Sequence, residues 1–566
     1  MIKKLAAHIG EYKKQTILSP LTVTLESFCE VLIPLLMARL VDKGIQAGDM
    51  TVILETGLLL ILTAGLSLTL GVLAGKFAAQ ASAGFATNLR KALFYKVQDF
   101  SFTNIDRFST SSLVTRLTTD VTNLQNSFQM IVRIAVRAPA LLIFALFMAF
   151  SINSKMALIF LSVVPVLFAG LIFVATRVHP TFERVFKTYD ALNRVVRENL
   201  RGIRVVKSFV REEDEVAKFR GVSGEIYAEF TKAERLIALN TPMMQSAVFT
   251  CILLISWFGA KTIVAGAMTT GELMSLLTYT NQILMSLMML SMVFVMIIIS
   301  RASAQRIVEV LDEVSDIAAP AAPVTGVADG SVEFDGVKWR CFEQVDLAIA
   351  SGETIGILGG TGSGKSTLVE LIPRLYDPAV GVVKVGGRDV KEYDLTALRD
   401  AVAVVLQKNT LFSGTIRENL RWGDENATEE EMRRACRLAQ ANGFISAMPD
   451  GYDTMLEQGG SNLSGGQRQR LCIARALMKK PKVLILDDST SAVDTATDAA
   501  IRRAFREELP GVTKLIIAQR VTSVMDADRI VVLDDGEIES VGAHDELMEK
   551  SRIYREIYEL QMKEAV

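Results

Sequence analysis

Cysteine and histidine, the residues from which zinc centres and disulfide frameworks are built, are scarce in this chain. Only 5 cysteines and 3 histidines occur among 566 residues. The cysteines lack CxxC spacing and histidine partners, so the sequence predicts isolated thiols rather than a zinc site or a disulfide framework. The net charge of −2 excludes the strongly basic field that attracts nucleic acid. An apolar content of 50% with only 22% charged residues excludes a disordered chain.

The two halves of the chain differ in charge. Before Ala319 there are 31 Lys and Arg against 24 Asp and Glu, whereas after it there are 30 against 39. The basic first half also contains the long apolar runs. A chain of 566 residues is well above the ~150 residues of a typical domain, so the sequence predicts a membrane-embedded part followed by a soluble part.

Six stretches of the first half are apolar over the roughly 20 residues that a transmembrane helix requires. They are residues 16–40, 51–81, 128–150, 155–177, 242–265 and 272–300. The long connectors 87–125 and 181–240 are rich in Lys and Arg, and the short connectors are nearly free of both. The positive-inside rule therefore places the N-terminus, both long connectors and everything after Ser300 in the cytoplasm, with the connectors predicted as helices.

A small, Pro-containing segment, AAPAAPVTGVAD, separates the last apolar stretch from a strand-like one. Such composition is typical of a linker. The sequence therefore predicts a six-helix transmembrane domain at 1–317, a linker at 318–330 and a soluble α/β domain at 331–566.

The soluble part contains a glycine-rich loop between an apolar strand, TIGILGG, and a helical segment, TLVELIPRLY. The loop matches GxxxxGK[ST] in the strand, loop, helix context that this motif requires. It consists of Gly359, Gly360, Thr361, Gly362, Ser363, Gly364, Lys365 and Ser366, with Thr367 next. Its backbone N–H groups can hold phosphates, Lys365 supplies a positive charge, and the Ser366 hydroxyl can bind Mg²⁺.

Two further motifs follow. The apolar run KVLILD ends in Asp487, where a nucleotide-site strand needs a carboxylate to hold Mg²⁺ through water. The segment LSGGQ, with Ser464, Gly465, Gly466 and Gln467, leads into a helical stretch. Small residues before a helix N-terminus form a second anion-binding end with a hydroxyl donor.

Along the chain the phosphate loop comes first, LSGGQ second and KVLILD third. In that order, the three motifs resemble those of an ATP-binding cassette (ABC) exporter half-transporter, in which a membrane domain precedes one P-loop nucleotide-binding domain. The resemblance covers nearly the whole chain. It implies a dimer in which Lys365 and Asp487 grip ATP and Mg²⁺ while the partner's LSGGQ segment closes over the γ-phosphate. It also implies that Gln407 senses Mg²⁺ and that Asp494 lies in the loop after the magnesium aspartate.

The resemblance further implies that Glu457 contacts the cytosolic ends of the membrane helices. Short coupling helices are expected around residues 104–112 and 195–210, the second docking on the partner's cassette.

Three positions depart from the family pattern. Asp488 stands where the family has the glutamate that polarises the attacking water, and Gln519 stands where it has a histidine. Cys341 stands where the adenine-stacking aromatic is expected, so Trp339 or Phe342 replaces that aromatic or adenine is held loosely.

A carboxylate shortened by one methylene and an amide that cannot titrate near neutral pH predict a site that binds ATP and hydrolyses it poorly. The alternative is that Asp488 is an adequate base. Since LSGGQ acts on the partner's nucleotide, its intactness predicts a different partner chain with the usual glutamate and histidine.

Two features of the spans bear on the substrate. Glu26 and Glu30 lie one helical turn apart in the first span and either bind substrate or only keep a cavity wet. A methionine stripe in the last span, which either lines an apolar wall or packs against lipid, consists of Met285, Met288, Met289, Met292 and Met296. Together the two features predict amphipathic substrates, including cationic ones. Transport of a cationic substrate is expected to fail when both glutamates are replaced by glutamine.

The sequence thus predicts a multi-pass cell-membrane protein that uses ATP to export lipophilic compounds by alternating access. The alternative function is an ATP-gated channel or regulatory subunit without active pumping. A soluble cassette protein acting on nucleic acid is excluded by the apolar spans.

Overall fold

The computed structural model describes residues 1–564. Within them it describes the backbone but not the side chains at 164, 168, 171, 174, 175, 178, 179, 182, 183, 186, 187, 190, 240, 291, 295, 298, 299, 563 and 564. The chain divides into two compact units, Met1–Asp99 with Ser109–Glu313 and Phe100–Phe108 with Val314–Val566. The domain limits at 317 and 331 stay predictions.

The first unit is helical. The helices of this half of the chain are α1 Ile2–Ala7, α2 Lys13–Arg39, α3 Met50–Gln98, α4 Phe102–Arg107, α5 Thr110–Thr115, α6 Val121–Ile152, α7 Ser154–Ser208, α8 Glu212–Ala238, α9 Asn240–Val264 and α10 Thr270–Asp312. Of these, α4 belongs to the second unit. Helices α3, α7 and α10 extend well beyond the length that crosses a bilayer, which confirms that the connectors continue as helices.

Five helical stretches of the described chain are long and apolar enough to cross a membrane. They are Gly10–Ile45, Met50–Gln98, Thr110–Ile152, Glu212–Val264 and Thr270–Phe294. A shorter apolar helix, Ser154–Leu167, coincides with the start of the span predicted at 155–177, the rest of which includes side chains outside the described set. Each predicted span therefore falls on a helix.

The core of the first unit lies where α2 and α10 pack together. Val31, Leu276, Tyr279 and Ile283 are all buried there. The Tyr279 hydroxyl donates a 2.8 Å hydrogen bond to the carbonyl of Val31, so this phenol is satisfied within the apolar core.

The second unit combines helices with β-sheets. Its strands are β1 Val332–Trp339, β2 Phe342–Ile349, β3 Thr354–Gly359, β4 Val380–Val385, β5 Arg388–Asp389, β6 Val402–Val405, β7 Gly414–Thr415, β8 Met455–Leu456, β9 Val483–Asp487, β10 Thr513–Ile517, β11 Arg529–Asp534 and β12 Glu537–Gly542. Its remaining helices are α11 Lys365–Val369, α12 Leu395–Ala401, α13 Ile416–Arg421, α14 Glu429–Leu438, α15 Asn442–Ser446, α16 Gly465–Met478, α17 Thr495–Glu508, α18 His544–Lys550 and α19 Arg552–Glu564.

The largest sheet has the strand order β12-β11-β3-β10-β9-β6. Strand β10 pairs in parallel with β3 on one side and with β9 on the other. Because parallel strands end at the same edge of a sheet, the segments that follow β3, β9 and β10 lie side by side. These three segments carry the phosphate loop, Asp488 and Gln519.

Candidate active site

The glycine-rich loop after β3 has a backbone that other residues could not adopt. Gly362 and Gly364 have positive φ angles of 89° and 98°. A Cβ added at Gly364 would lie 2.6 Å from the ring of Phe342 and 2.7 Å from the Cys341 sulfur. The loop then runs directly into α11, where Ser366 and Thr367 occupy the first turn.

Two side chains of this loop are suited to phosphate oxygens. The Ser363 hydroxyl is buried and has no hydrogen-bond partner among the described residues, which leaves a free donor in the loop. The Lys365 ammonium donates to the carbonyls of Gly359 at 2.9 Å and Gly360 at 2.6 Å. Burial lowers the pKa of Lys365, against the opposing charges of Asp487 and Asp488.

Ser366 and Asp487 form a pair of oxygen ligands. The Ser366 hydroxyl donates to the Asp487 carboxylate across 3.0 Å. Burial raises the pKa of Asp487, and the Ser366 hydrogen bond works against this rise. A hydroxyl beside a buried carboxylate fits the hard oxygen coordination that Mg²⁺ requires. These residues therefore fit both phosphate and magnesium.

Asp488 and Gln519 lie next to this pair. The Gln519 side-chain amide donates to the Asp488 carboxylate across 3.1 Å. Asp488 adopts a left-handed backbone with φ of 45°, an uncommon conformation for a residue with a Cβ. Burial raises the pKa of Asp488, while a hydrogen bond from Gln407 lowers it. The residues predicted at the hydrolytic position are thus brought together.

The turn between β1 and β2 carries the three candidates for the adenine contact, which stays a prediction. Trp339 packs against Tyr376 with ring centroids 5.9 Å apart, and Phe342 is 1% exposed in the core. These contacts argue against both aromatic replacements for the adenine-stacking residue. The turn brings two side chains to Gly364 of the phosphate loop, the buried Phe342 ring and the Cys341 thiol, and of these Cys341 is the exposed one.

The LSGGQ segment caps its own helix. The Ser464 N–H donates to the Gln467 side chain at 2.9 Å, and the Gln467 N–H donates to the Ser464 hydroxyl at 3.3 Å. This capping box starts α16 at Gly465. An added Cβ at Gly466 would lie 2.9 Å from the carbonyl of Ala492, so the segment also needs glycine for close packing.

Two other predicted residues have local partners. Asp494 caps α17 by accepting a hydrogen bond from the Thr497 N–H at 2.9 Å. Glu457 accepts a 2.6 Å hydrogen bond from the Ser461 hydroxyl in the turn before LSGGQ. These contacts explain the local structure. The contact of Glu457 with the membrane helices and the role of Asp494 in the loop after the magnesium aspartate stay predictions.

Helix α4, which the sequence placed slightly later at 104–112, packs within the second unit. The Tyr376 hydroxyl donates to Asp106 at 2.8 Å, and Arg340 donates to the same carboxylate at 3.1 Å. The Phe102 and Tyr376 rings meet edge to face at 5.9 Å. A helix of the first connector is therefore joined to the sheet unit.

Two protein-family models match this chain. The family described as ABC transporter transmembrane region matches residues 16–288, and the family described as ABC transporter matches residues 342–491. An uncharacterized ABC transporter ATP-binding protein, YfiB of Bacillus subtilis (strain 168), is 38% identical over 94% of both chains. The chain belongs to the ABC transporter family.

Other similar proteins agree with this assignment. An ATP-dependent lipid A-core flippase of Hahella chejuensis (strain KCTC 2396) is 32% identical over 87% of this chain and 85% of its own length. A structure of a bacterial Atm1-family ABC exporter with ATP bound shares the fold, with a TM-score of 0.81, 24% identity and coverage of 97% and 98%. This ABC transporter therefore has a helical transmembrane domain and an α/β ATPase domain that is coupled to transport.

The membrane carboxylates of the ABC transporter are paired by a residue that the sequence analysis missed. Arg137 of α6 donates to Glu26 at 2.7 Å and to Glu30 at 2.8 Å. The expected acidic patch is thus an ion cluster with one cation and two anions. The signal was Arg133 and Arg137 one turn apart inside the third predicted span.

The methionine stripe lies on α10. Met285 and Met292 are exposed in the single chain, at 56% and 62%, whereas Met289 and Met296 are half-buried. The stripe therefore presents a partly exposed apolar face. Such a face is compatible both with an apolar wall for substrate and with packing against lipid.

Proposed function

We propose that this ABC transporter exports amphipathic, lipophilic compounds from the cytosol as one subunit of a heterodimer. As such a subunit, it is a multi-pass protein of the cell membrane, with the N-terminus and the ATPase domain in the cytoplasm. The fusion of a membrane domain to the ATPase domain in one chain supports export. Relatives named as lipid A-core flippases support a lipophilic substrate.

The hydrogen bond between Gln519 and Asp488 is the observation that carries the heterodimer proposal. ATP and Mg²⁺ would be held by Lys365, Ser366, Asp487 and Gln407. The bound Mg²⁺ ion would neutralise part of the phosphate charge. Gln519 is neutral and already bonded to Asp488, and the shorter carboxylate reaches less far toward an attacking water. This chain's site would therefore bind ATP and turn it over slowly, while its LSGGQ segment completes a faster site on the partner.

The test restores the family's residues in the assembled transporter. Asp488→Glu with Gln519→His should raise turnover at this chain's site about tenfold or more, because misplacing a catalytic group by ~1 Å costs about a hundredfold. Asp545→Glu adds the same methylene at an exposed position of α18 and should change nothing. The chain alone should show little ATPase activity, and brisk hydrolysis by a homodimer would overturn the proposal.

The substrate proposal rests on the ion cluster. One carboxylate oxygen of Glu26 is buried without a hydrogen-bond partner among the described residues, and the glutamate side chain is 9% exposed. An unsatisfied acceptor in hydrocarbon favours a ligand that donates a hydrogen bond. A substrate with an apolar body and a cationic or hydroxyl-bearing end fits this cluster. Uphill accumulation in vesicles would separate this function from an ATP-gated channel.

A further inference from the structure

The C-terminal helix α19 packs one face against the ATPase core. Tyr554 is fully buried and its hydroxyl lies 2.7 Å from a ring nitrogen of His544. Ile557 and Tyr558 pack against the same core. Residues spaced by three, four and seven share one side of a helix, so Gln561 follows on this face at the last described turn.

The side-chain amide of Gln561 bonds to the backbone on both sides of Arg520. Its nitrogen donates to the Gln519 carbonyl at 2.7 Å, and its oxygen accepts from the Val521 N–H at 2.8 Å. The two partners fix the orientation of the amide, because only its NH₂ group can donate to a carbonyl and only its oxygen can accept from an N–H. One side chain thus holds the loop after β10 by two hydrogen bonds, which we call the Gln561 clamp.

This clamp holds the loop that presents Gln519 to Asp488. The Gln519 side chain reaches the Asp488 carboxylate at 3.1 Å, and the Asp488 N–H donates to the Ile517 carbonyl at 3.0 Å. The helix, the loop and the hydrolytic position are therefore joined by consecutive hydrogen bonds. A backbone held on both sides of Arg520 fixes the point from which the Gln519 side chain starts, and misplacing a group at a reacting site by ~1 Å costs about a hundredfold in rate.

We propose that Gln561 is a positioning residue, through which the C-terminal helix sets the place of Gln519 in the ATP site. This inference rests on the ATPase domain and does not require the heterodimer. The helix has its own anchors in Tyr554 and Ile557, so removing the amide should release the loop and leave the helix docked.

Three variants of the assembled transporter separate positioning from general stability. Gln561→Ala removes both hydrogen bonds, and Gln561→Glu keeps the acceptor for Val521 while placing a carboxylate against the Gln519 carbonyl. Glu559→Ala is the matched control, since Glu559 lies on the exposed side of the same helix.

The first measurement is hydrogen exchange of the Val521 amide in the full-length protein. In Gln561→Ala the Val521 N–H loses its acceptor, the partly buried side-chain oxygen of Gln561, so its exchange should become about tenfold faster. The exchange rate should change less in Gln561→Glu and not at all in Glu559→Ala. Unchanged exchange in Gln561→Ala would overturn the proposal. Faster exchange throughout the domain would also overturn it, because that result indicates global destabilisation.

The second measurement is steady-state ATPase activity on the Asp488→Glu, Gln519→His background, where this site should turn over. Adding Gln561→Ala should lower kcat severalfold with an unchanged KM for ATP, because the phosphate loop lies on another strand. A lower kcat accompanied by a changed KM for ATP, or an unchanged kcat, would contradict a positioning role for Gln561. If that background shows no gain in turnover, the slow-site proposal fails while hydrogen exchange still decides the role of Gln561.

Discussion

The hydroxyl of Tyr376 donates a 2.8 Å hydrogen bond to Asp106. Asp106 belongs to the first connector of the membrane domain, and Tyr376 belongs to the ATPase domain. Arg340 completes the contact from above the Tyr376 ring, with its guanidinium 4.4 Å from the ring centroid. Both residues lie in the second compact unit, so this part of the first connector is held to the ATPase domain by side-chain contacts.

Asp106→Ala should lower substrate transport severalfold while basal ATPase activity is largely retained. The reason is that the carboxylate accepts bonds from both Tyr376 and Arg340, and the ATP-binding residues are elsewhere. Transport and hydrolysis measured on the same vesicles give the ratio. Thr103→Ala, on the exposed part of α4, is the control, and an unchanged ratio in Asp106→Ala would contradict a coupling role.

Bound ATP should protect Cys341 from alkylation. Cys341 is exposed and the other four cysteines are buried, so a maleimide applied to the folded protein reports on this thiol. At ATP concentrations of about ten times Kd, labelling should slow about tenfold, because only the nucleotide-free fraction reacts. A Cys341→Ser variant gives the background. Labelling that ignores ATP would show that the nucleotide does not cover this turn.

The sequence predicted the parts of the site that depend on local order. A loop after one strand and an acid at the end of another are fixed by their strands, so the Ser366–Asp487 pair follows once the sheet is parallel. The turn after β1 was predicted less well. Which of Trp339, Cys341 and Phe342 meets the loop depends on the strand register and on the left-handed Arg340, with φ of 50°.

Contacts between distant parts of the chain were not predictable. Arg137 is 107 residues from Glu30, and Gln561 is 42 residues from Gln519. Neither pair has a sequence pattern of its own, because a glutamine in a helix and an arginine in a span have many possible partners. Packing of α19 on the core and of α6 on α2 makes these pairs.

The Glu353–Arg529 ion pair should make the stability of the protein depend on acid. The hydrogen bond from Arg529 lowers the pKa of Glu353, with burial opposing it. A carboxyl with a lowered folded pKa stabilises the protein above its unfolded pKa of about 4.3, and this stabilisation is lost as the pH falls through the folded pKa. Arg529→Gln should therefore have a lower Tm than the wild type at pH 7, and the difference in Tm between the two proteins should become smaller below about pH 4. A difference in Tm that does not change with pH would contradict the pairing of Glu353 with Arg529.

Arg137→Met should destabilise the membrane domain more than most single substitutions. It leaves Glu26 and Glu30 without their shared guanidinium. Because Glu26 is buried and Glu30 is half-buried, the cost should fall near the lower end of the about 3–5 kcal/mol of a fully buried pair. Adding Glu26→Gln and Glu30→Gln should recover much of this loss, because the neutral triple variant has no unpaired charge at the cluster. Thermal unfolding in one detergent is measured for the wild type, for Arg137→Met, for Glu26→Gln with Glu30→Gln, and for the triple variant. If the losses in Tm simply add in the triple variant, the arginine and the glutamates do not stabilise each other.

The neutral triple variant also separates two explanations for lost transport. Glu26→Gln with Glu30→Gln alone leaves Arg137 as an unpaired cation, which would repel a cationic substrate even if the carboxylates never bound it. In the triple variant that repulsion is gone. If the glutamates bind the polar end of the substrate, transport should stay low although stability returns. Transport that recovers together with Tm would instead show that the carboxylates serve only to pair with Arg137.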